Sequence, residues 1–426
     1  MSSKREAVIV SACRTPLGSF NGTLSGIGAT DLGAMAIEEA VKRAGIEKAE
    51  VDEVIMGQVL PCGYGQNPGR QAALKAGIPY EAGCITVNKV CGSGLKAVML
   101  AAQAIQLGDA DIVIAGGMEN MSLAPYYLEK ARFGYRMNDG KLVDSMVHDG
   151  LWDIVNDFHM GISNDLCSEK YSVSLEDQDR YAAMSYARSL ESIRDGRFSE
   201  EIFPVMIPQR KGDPKPFTTD ECPRDTAYEA LAAMKPAFQK NGYATAGNAS
   251  VISDGASALC VMAEEMAKSR GLPIMARVGS QGAAGLDMKY VLVAPIYSIP
   301  KVAKKEGIDY RSIDLMEVNE AFSGSTVAVI RELGLDPDRV NVNGGSVSLG
   351  HPIGASGARV LTTLLYAMNN RDKDRHGVAL PRRRRGGDAL RRSISIIARV
   401  SFIGCHCVII GGGHVSQGQS RVVPDR

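Results

Sequence analysis

The sequence predicts an α/β protein made of two similar halves, with an irregular lobe inserted between them. Three observations carry this. Strand and helix signals alternate through the first 120 residues, the alternation loosens between about 122 and 251, and it returns from about 274 in a pattern that resembles the first part.

In chain order, "REAVIVSAC" is an apolar run of strand length. "TDLGAMAIEEAVKRAG" then has helical periodicity, with Thr30 or Asp31 expected at its cap and Gly45 after its end. "VDEVIMGQVL" reads as a strand, followed by a helix starting near Asn67, a strand "CITVN" and a long helix "SGLKAVMLAAQAIQLG". The strand "ADIVIAGGMENMS" runs into a Gly-rich turn. This βαβ order predicts a buried, largely parallel sheet. Between 122 and 251, "YYLEKARFGYRMNDGKLVD" and "PQRKGDPKPFTTDECPRD" mix aromatic, charged and proline residues, as a lobe over a site does and a further sheet layer does not. "IDLMEVNEAF" and "RVNVNGGSVSLGHPIGASGARVLTTLLYAM" restore the βα order. "TVNKVCGSGLKAVML" and "NVNGGSVSLGHPIGASGARVLTTLL" each show a short strand ending in Val-Asn, a Gly-rich turn, Ser-Gly, a basic residue and an apolar helix. The repeat predicts that Cys91 and His351 sit at comparable turns and meet at the face shared by the halves.

The chain of 426 residues has 45% hydrophobic residues and no net formal charge, and no run of apolar residues reaches the length of a membrane span. Its start lacks the long apolar region of a secretory signal. Nine scattered cysteines make no disulfide framework, and those before 371 have no zinc-site spacing, so a reduced, cytoplasmic compartment is expected. The charge is uneven. From 371 onward there are 12 basic and 4 acidic residues, which leaves 36 basic against 44 acidic in the first 370. Such a tail invites a nucleic-acid reading. The tail itself, taken up below, has another explanation.

Cys91, in "NKVCGSGLKAV", stands where a turn opens a helix. Unpaired first-turn N–H groups and the helix dipole favour a thiolate there. A buried, inert cysteine is the alternative. His351, between Gly350 and Pro352, is held on a constrained backbone just before a helix and is one of only six histidines, so a Cys–His nucleophilic pair has few candidates. Asn319, Glu320 and Phe322 follow the apolar run "IDLMEV", where ligands bind in open α/β sheets. Asn319 suits an oxyanion or a water, or alternatively a helix cap. None of the Gly-rich turns has dinucleotide-binding spacing.

Together, "NKVCGSGLKAV", "AGGMENMS", "TAGNAS", "NEAF" and "NVNGGSVSLGHPIGASGAR" resemble the thiolase family in order and spacing, over about residues 5 to 370. "CGSG" and "HMG" are similar to its biosynthetic, acetoacetyl-forming branch. The resemblance implies duplicated βαβαβαββ halves in a five-layer α-β-α-β-α arrangement plus a loop domain. The N-terminal half would be 1–121 with 252–273, the inserted CoA-binding loop domain 122–251, and the C-terminal half 274–375, ahead of an aberrant tail, 376–426. It implies an acyltransferase that condenses two acetyl-CoA to acetoacetyl-CoA and CoA, and thiolyses the product in reverse. Cys91 would carry the acetyl thioester with His351 as its activator. His351 and an Asn319-bound water would stabilise the enolate oxygen, and the Cys91 N–H would contribute to a second oxyanion hole. His159, Met160, Ala246, Ser250, Ala321 and Phe322 match positions lining the pantetheine tunnel and acetyl pocket, and Arg224 matches a contact to the CoA nucleotide. No metal or redox cofactor, nucleic acid or membrane is implied, and a homotetramer is. Other readings remain: a 3-ketoacyl-CoA thiolase of broader chain length, a related Cys–His condensing enzyme with another acyl donor, a catalytically impaired relative lacking its second cysteine, and a catalytically dead binding protein with a basic arm.

The family's second cysteine, in Cys-x-Gly-Gly-Gly, belongs beyond the helix that follows His351. Here that place reads Ala379-Leu380-Pro381 and then four arginines, 382 to 385. Gly377 to Arg385 can be coded GGC GTC GCT CTG CCT CGG CGG CGG CGG. Read one base later, the same string spells Ala-Ser-Leu-Cys-Leu-Gly-Gly-Gly. On these codons the arginines are expected to mark a shift of reading frame between about Tyr366 and His376, in the gene or in its sequencing, and the basic tail then needs no nucleic acid. Cys405 and Cys407 stand more than fifty residues beyond His351, away from the family's spacing, so whether either takes the lost cysteine's place stays open, and Cys405-His406-Cys407 is too compact for a usual zinc site.

Overall fold

The computed structural model describes residues 5–376, 399–403 and 408–411. The arginine run, Cys405 and Cys407 lie outside the described residues. The main strands are β1 (Ala7–Arg14), β2 (Glu53–Gly57), β3 (Gly83–Val87), β4 (Ile112–Asn120), β5 (Ser253–Ala263), β6 (Ala276–Gly282), β7 (Leu315–Val318), β8 (Arg399–Ile403) and β9 (Val408–Gly411). The main helices are α1 (Ala29–Ala44), α2 (Pro68–Lys75), α3 (Ser93–Leu107), α4 (Met160–Lys170), α5 (Leu175–Arg194), α6 (Pro295–Glu306), α7 (Ser323–Leu333) and α8 (Ser356–His376).

One sheet runs in the order β8-β6-β1-β5-β4-β2-β3. It is mixed rather than largely parallel. β3, β2 and β4 are parallel, whereas β5 is antiparallel to both β4 and β1, and β1 is antiparallel to β6. The reason is that β5 returns from the inserted lobe and not from a crossover helix. Every residue of β1, β4 and β5 is buried. Alternate residues of these strands feed two different cores, the phase in β1 changing at a bulge between Ile9 and Ser11. Ile9, Val113 and Val261 pack with α3 and α8, and Val8, Ile114 and Met262 pack with α1 and α2.

α1 is capped by Gly28, not by Thr30 or Asp31, and ends at left-handed Gly45. The cap moves because Gly28 O already accepts from Asp31 N and Leu32 N, so the helix is under way before those polar residues. Asn67 does cap α2, its side chain accepting from Arg70 N. The predicted strand at "NVN" is only a pair of isolated bridges, Met316 to Val340 and Val342 to Gly344. The inserted lobe holds α4 and the long, capping-box-initiated α5 between short hairpins.

β8 and β9 depart from the pattern of the first half. There, β5 lies antiparallel beside β1, and β4 lies parallel beside β2. In the second half, β8 lies parallel beside β6 and β9 antiparallel beside β7. Both directions are reversed, and the earlier strand takes the place that the later one holds in the first half.

Candidate active site

α3 and α8 both begin at the centre of the molecule, where glycines let their backbones touch. A Cβ on Gly94 would stand 2.8 Å from Ala358 N, and one on Gly117 only 2.1 Å from Gly354 O. Cys91 directly precedes Gly92, the N-cap of α3. The turn before it is strained: Val90 has φ +48°, a left-handed conformation costly for a β-branched residue. Ser93 holds this turn, its hydroxyl donating to Val90 O at 2.6 Å and accepting from Lys89 N at 2.8 Å.

His351 comes to meet Cys91 from the turn before α8, with Nε2 3.1 Å from Sγ. On the other side of the ring, Nδ1 lies 2.6 Å from Ser356 Oγ, and that hydroxyl donates to Pro352 O at 3.0 Å. With its hydrogen committed to a carbonyl, the Ser356 oxygen accepts from Nδ1–H, which leaves Nε2 as the acceptor facing the thiol. Asn319 is buried, and its Nδ2 lies 3.5 Å from the same Nε2. Its Oδ1 accepts from Ser346 Oγ at 2.7 Å, and Ser346 accepts from Arg359 Nη2 at 3.2 Å. This relay turns the amide nitrogen toward His351. Asn319 is not a helix cap, because α7 starts at Ser323 with Phe322 at its cap position.

A cavity of about 250 Å3 opens over Cys91 and His351. It is lined by Val90, Met121, Trp152, His159, Met160, Phe238, Ser250, Ile252, Ala321, Phe322 and Ile353, among others. His159 caps α4, its Nδ1 accepting from Gly161 N at 3.0 Å, and it stacks on Phe238 with ring centroids 4.4 Å apart. Burial pushes its pKa down to about 4, so the ring is neutral at ordinary pH. Ala246, expected in the lining, falls outside it, and Arg224, expected at the nucleotide end, also lies off the cavity. Ala246 is exposed on a turn, and the Arg224 guanidinium lies over the Tyr186 ring, 5.3 Å from its centroid. Their motifs are read from a lobe whose loops the sequence pattern does not place. The serines that orient the site, Ser346 and Ser356, have no sequence signal beyond their distance from His351. Among the described residues, no group of three or more His, Cys, Asp or Glu is placed to hold a metal.

This arrangement permits proton transfer from a thiol to an imidazole, in a mostly apolar cavity deep enough for a slender acyl chain. Comparisons with known proteins agree with it. Residues 7–265 match the family model "Thiolase, N-terminal domain", and residues 272–389 match "Thiolase, C-terminal domain". An acetyl-CoA acetyltransferase of Pseudomonas aeruginosa is 53% identical over 369 residues, 86% of this chain and 94% of the relative. One of Cupriavidus necator is 50% identical over 86% of this chain and 94% of its own length. The crystal structure of the Bacillus anthracis acetyl-CoA acetyltransferase superposes with a TM-score of 0.87 at 36% identity, covering 96% of this chain and 99% of that one.

Proposed function

The chain belongs to the thiolase family, and on that premise we propose that it is an acetyl-CoA C-acetyltransferase. The observation that carries the assignment to this site is the Cys91 Sγ to His351 Nε2 contact of 3.1 Å at the base of the cavity.

The first half-reaction follows from that contact. Cys91 Sγ passes its proton to His351 Nε2 and attacks the carbonyl carbon of acetyl-CoA. The carbon–sulfur bond to CoA breaks, CoA leaves with the proton from His351, and an acetyl thioester remains on Cys91. In the second half-reaction a base takes a methyl proton from another acetyl-CoA. The enolate carbon attacks the Cys91 thioester, a carbon–carbon bond forms, and Cys91 leaves as the thiolate. His351, with a water held by Asn319, faces the enolate oxygen, and the Cys91 N–H serves the second oxyanion hole. His159, Met160, Ser250, Ala321 and Phe322 line the way in. Arg224 serves the nucleotide end, outside the cavity.

A second reading is favoured by one observation. The sequence has no cysteine between Cys260 and Cys405, so the family's second cysteine has no counterpart at its place. On that reading the chain is impaired, forming the Cys91 thioester and going no further. We also propose a cytoplasmic homotetramer that needs no metal or redox cofactor and binds neither nucleic acid nor membrane, supported by the family resemblance and by cysteines too scattered in the sequence for a disulfide framework. The test is to mix the purified chain with acetyl-CoA and map the acetyl group by peptide mass. Acetylation at Cys91, absent from Cys91→Ala, supports the assignment; a folded chain that stays unmodified overturns it.

A further inference from the structure

No step above uses the carboxylate of Glu119, at the end of β4 in "AGGMENMS". It is fully buried, and three backbone N–H groups donate to it. Oε2 accepts from Val59 N at 2.9 Å and from Gly354 N at 2.9 Å, and Oε1 accepts from Leu60 N at 3.2 Å. Val59 and Leu60 follow β2. Gly354 is three residues beyond His351, in the turn that starts α8. One carboxylate therefore ties two separate loops to the end of β4. Val59, Leu60 and Ile353 pack with Met121 and Met146, and Cys91 rests against this small cluster.

We propose that Glu119 is a positioning residue that holds the His351 turn in register with Cys91. This rests on the Cys–His reading above. The contact is direct, since a Cβ on residue 354 would lie 2.7 Å from Glu119 Oε2, and only glycine leaves room for the bond. Burial pushes the carboxyl up to about 7, while the three amide donors and their hydrogen bonds favour its charged form.

The test reads iodoacetamide alkylation of Cys91 by peptide mass, in folded protein. Glu119→Gln keeps the shape but sets an amide N–H against one of the three donors. It is expected to slow alkylation about tenfold, and to cause no further slowing in a His351→Ala background, where the residue it positions is gone. Should Glu119→Gln fail to fold, Glu119→Asp keeps the charge, withdraws it by one methylene, and is expected to act in the same direction. A lower thermal midpoint with an unchanged Cys91 rate means a structural role only and overturns the proposal, as does equal slowing with and without His351. If His351→Ala itself leaves Cys91 unaffected, the Cys–His reading fails first.

Discussion

Cys91 Sγ and His351 Nε2 lie 3.1 Å apart although the residues stand 260 positions apart in the chain. Ser356 supports the pair from behind by accepting Nδ1–H. His351→Ala is therefore expected to slow acetyl transfer to Cys91 by about 100-fold or more, and Ser356→Ala by about tenfold. Quenched-flow release of CoA from acetyl-CoA measures both; equal rates in all three proteins would contradict the pairing.

Close contact between α3 and α8 is what allows that distance. Gly94→Ala puts a methyl 2.8 Å from Ala358 N and 3.1 Å from Gly354 O, both backbone atoms that cannot swing away. The expected cost is about 1–3 kcal/mol, seen as a lower thermal midpoint, together with slower alkylation of Cys91 as the two turns separate. A variant as stable and reactive as the parent would show that the helices part freely.

Acid acts on the pocket through His159. Its folded pKa, about 4, lies below the ordinary value of 6.5 because burial disfavours the charged ring. The stability from keeping it neutral is fully present above 6.5 and is lost as pH falls through 4, since the unfolded chain takes up the proton first. His159→Gln is expected to lose on the order of 1–2 kcal/mol less than the parent across that window, allowing for partial exposure. Urea unfolding at pH 7 and pH 4.5 gives the comparison, and parallel losses would exclude His159 as the cause.

For the tail, DNA across codons 366 to 385 is expected to spell Ala-Ser-Leu-Cys-Leu-Gly-Gly-Gly one base out of frame. A chain rebuilt in that frame should thiolyse acetoacetyl-CoA with CoA over many turnovers, whereas on the second reading above the present chain takes an acetyl group from acetyl-CoA onto Cys91 but does not turn acetoacetyl-CoA over. The reversed pairing of β8 and β9 agrees with strands that did not originate in those places. Codons that cannot spell the motif, or steady turnover by the present chain, would refute this account.

What the sequence by itself determined was local or repetitive. The Gly-rich turn and the Ser-Gly-x-basic start of each central helix, and the polar cluster after "IDLMEV", were legible because each is a short run whose residue types limit the backbone. Tertiary structure alone decided the rest. The mixed sheet arises because β5 comes back from the lobe, and Ala246 lies outside the cavity because loops lack a periodicity that would place it. Glu119 gained a role only when β2, β4 and α8 brought three N–H groups to one carboxylate, since a buried charge is stable only where folding gathers donors from distant parts of the chain.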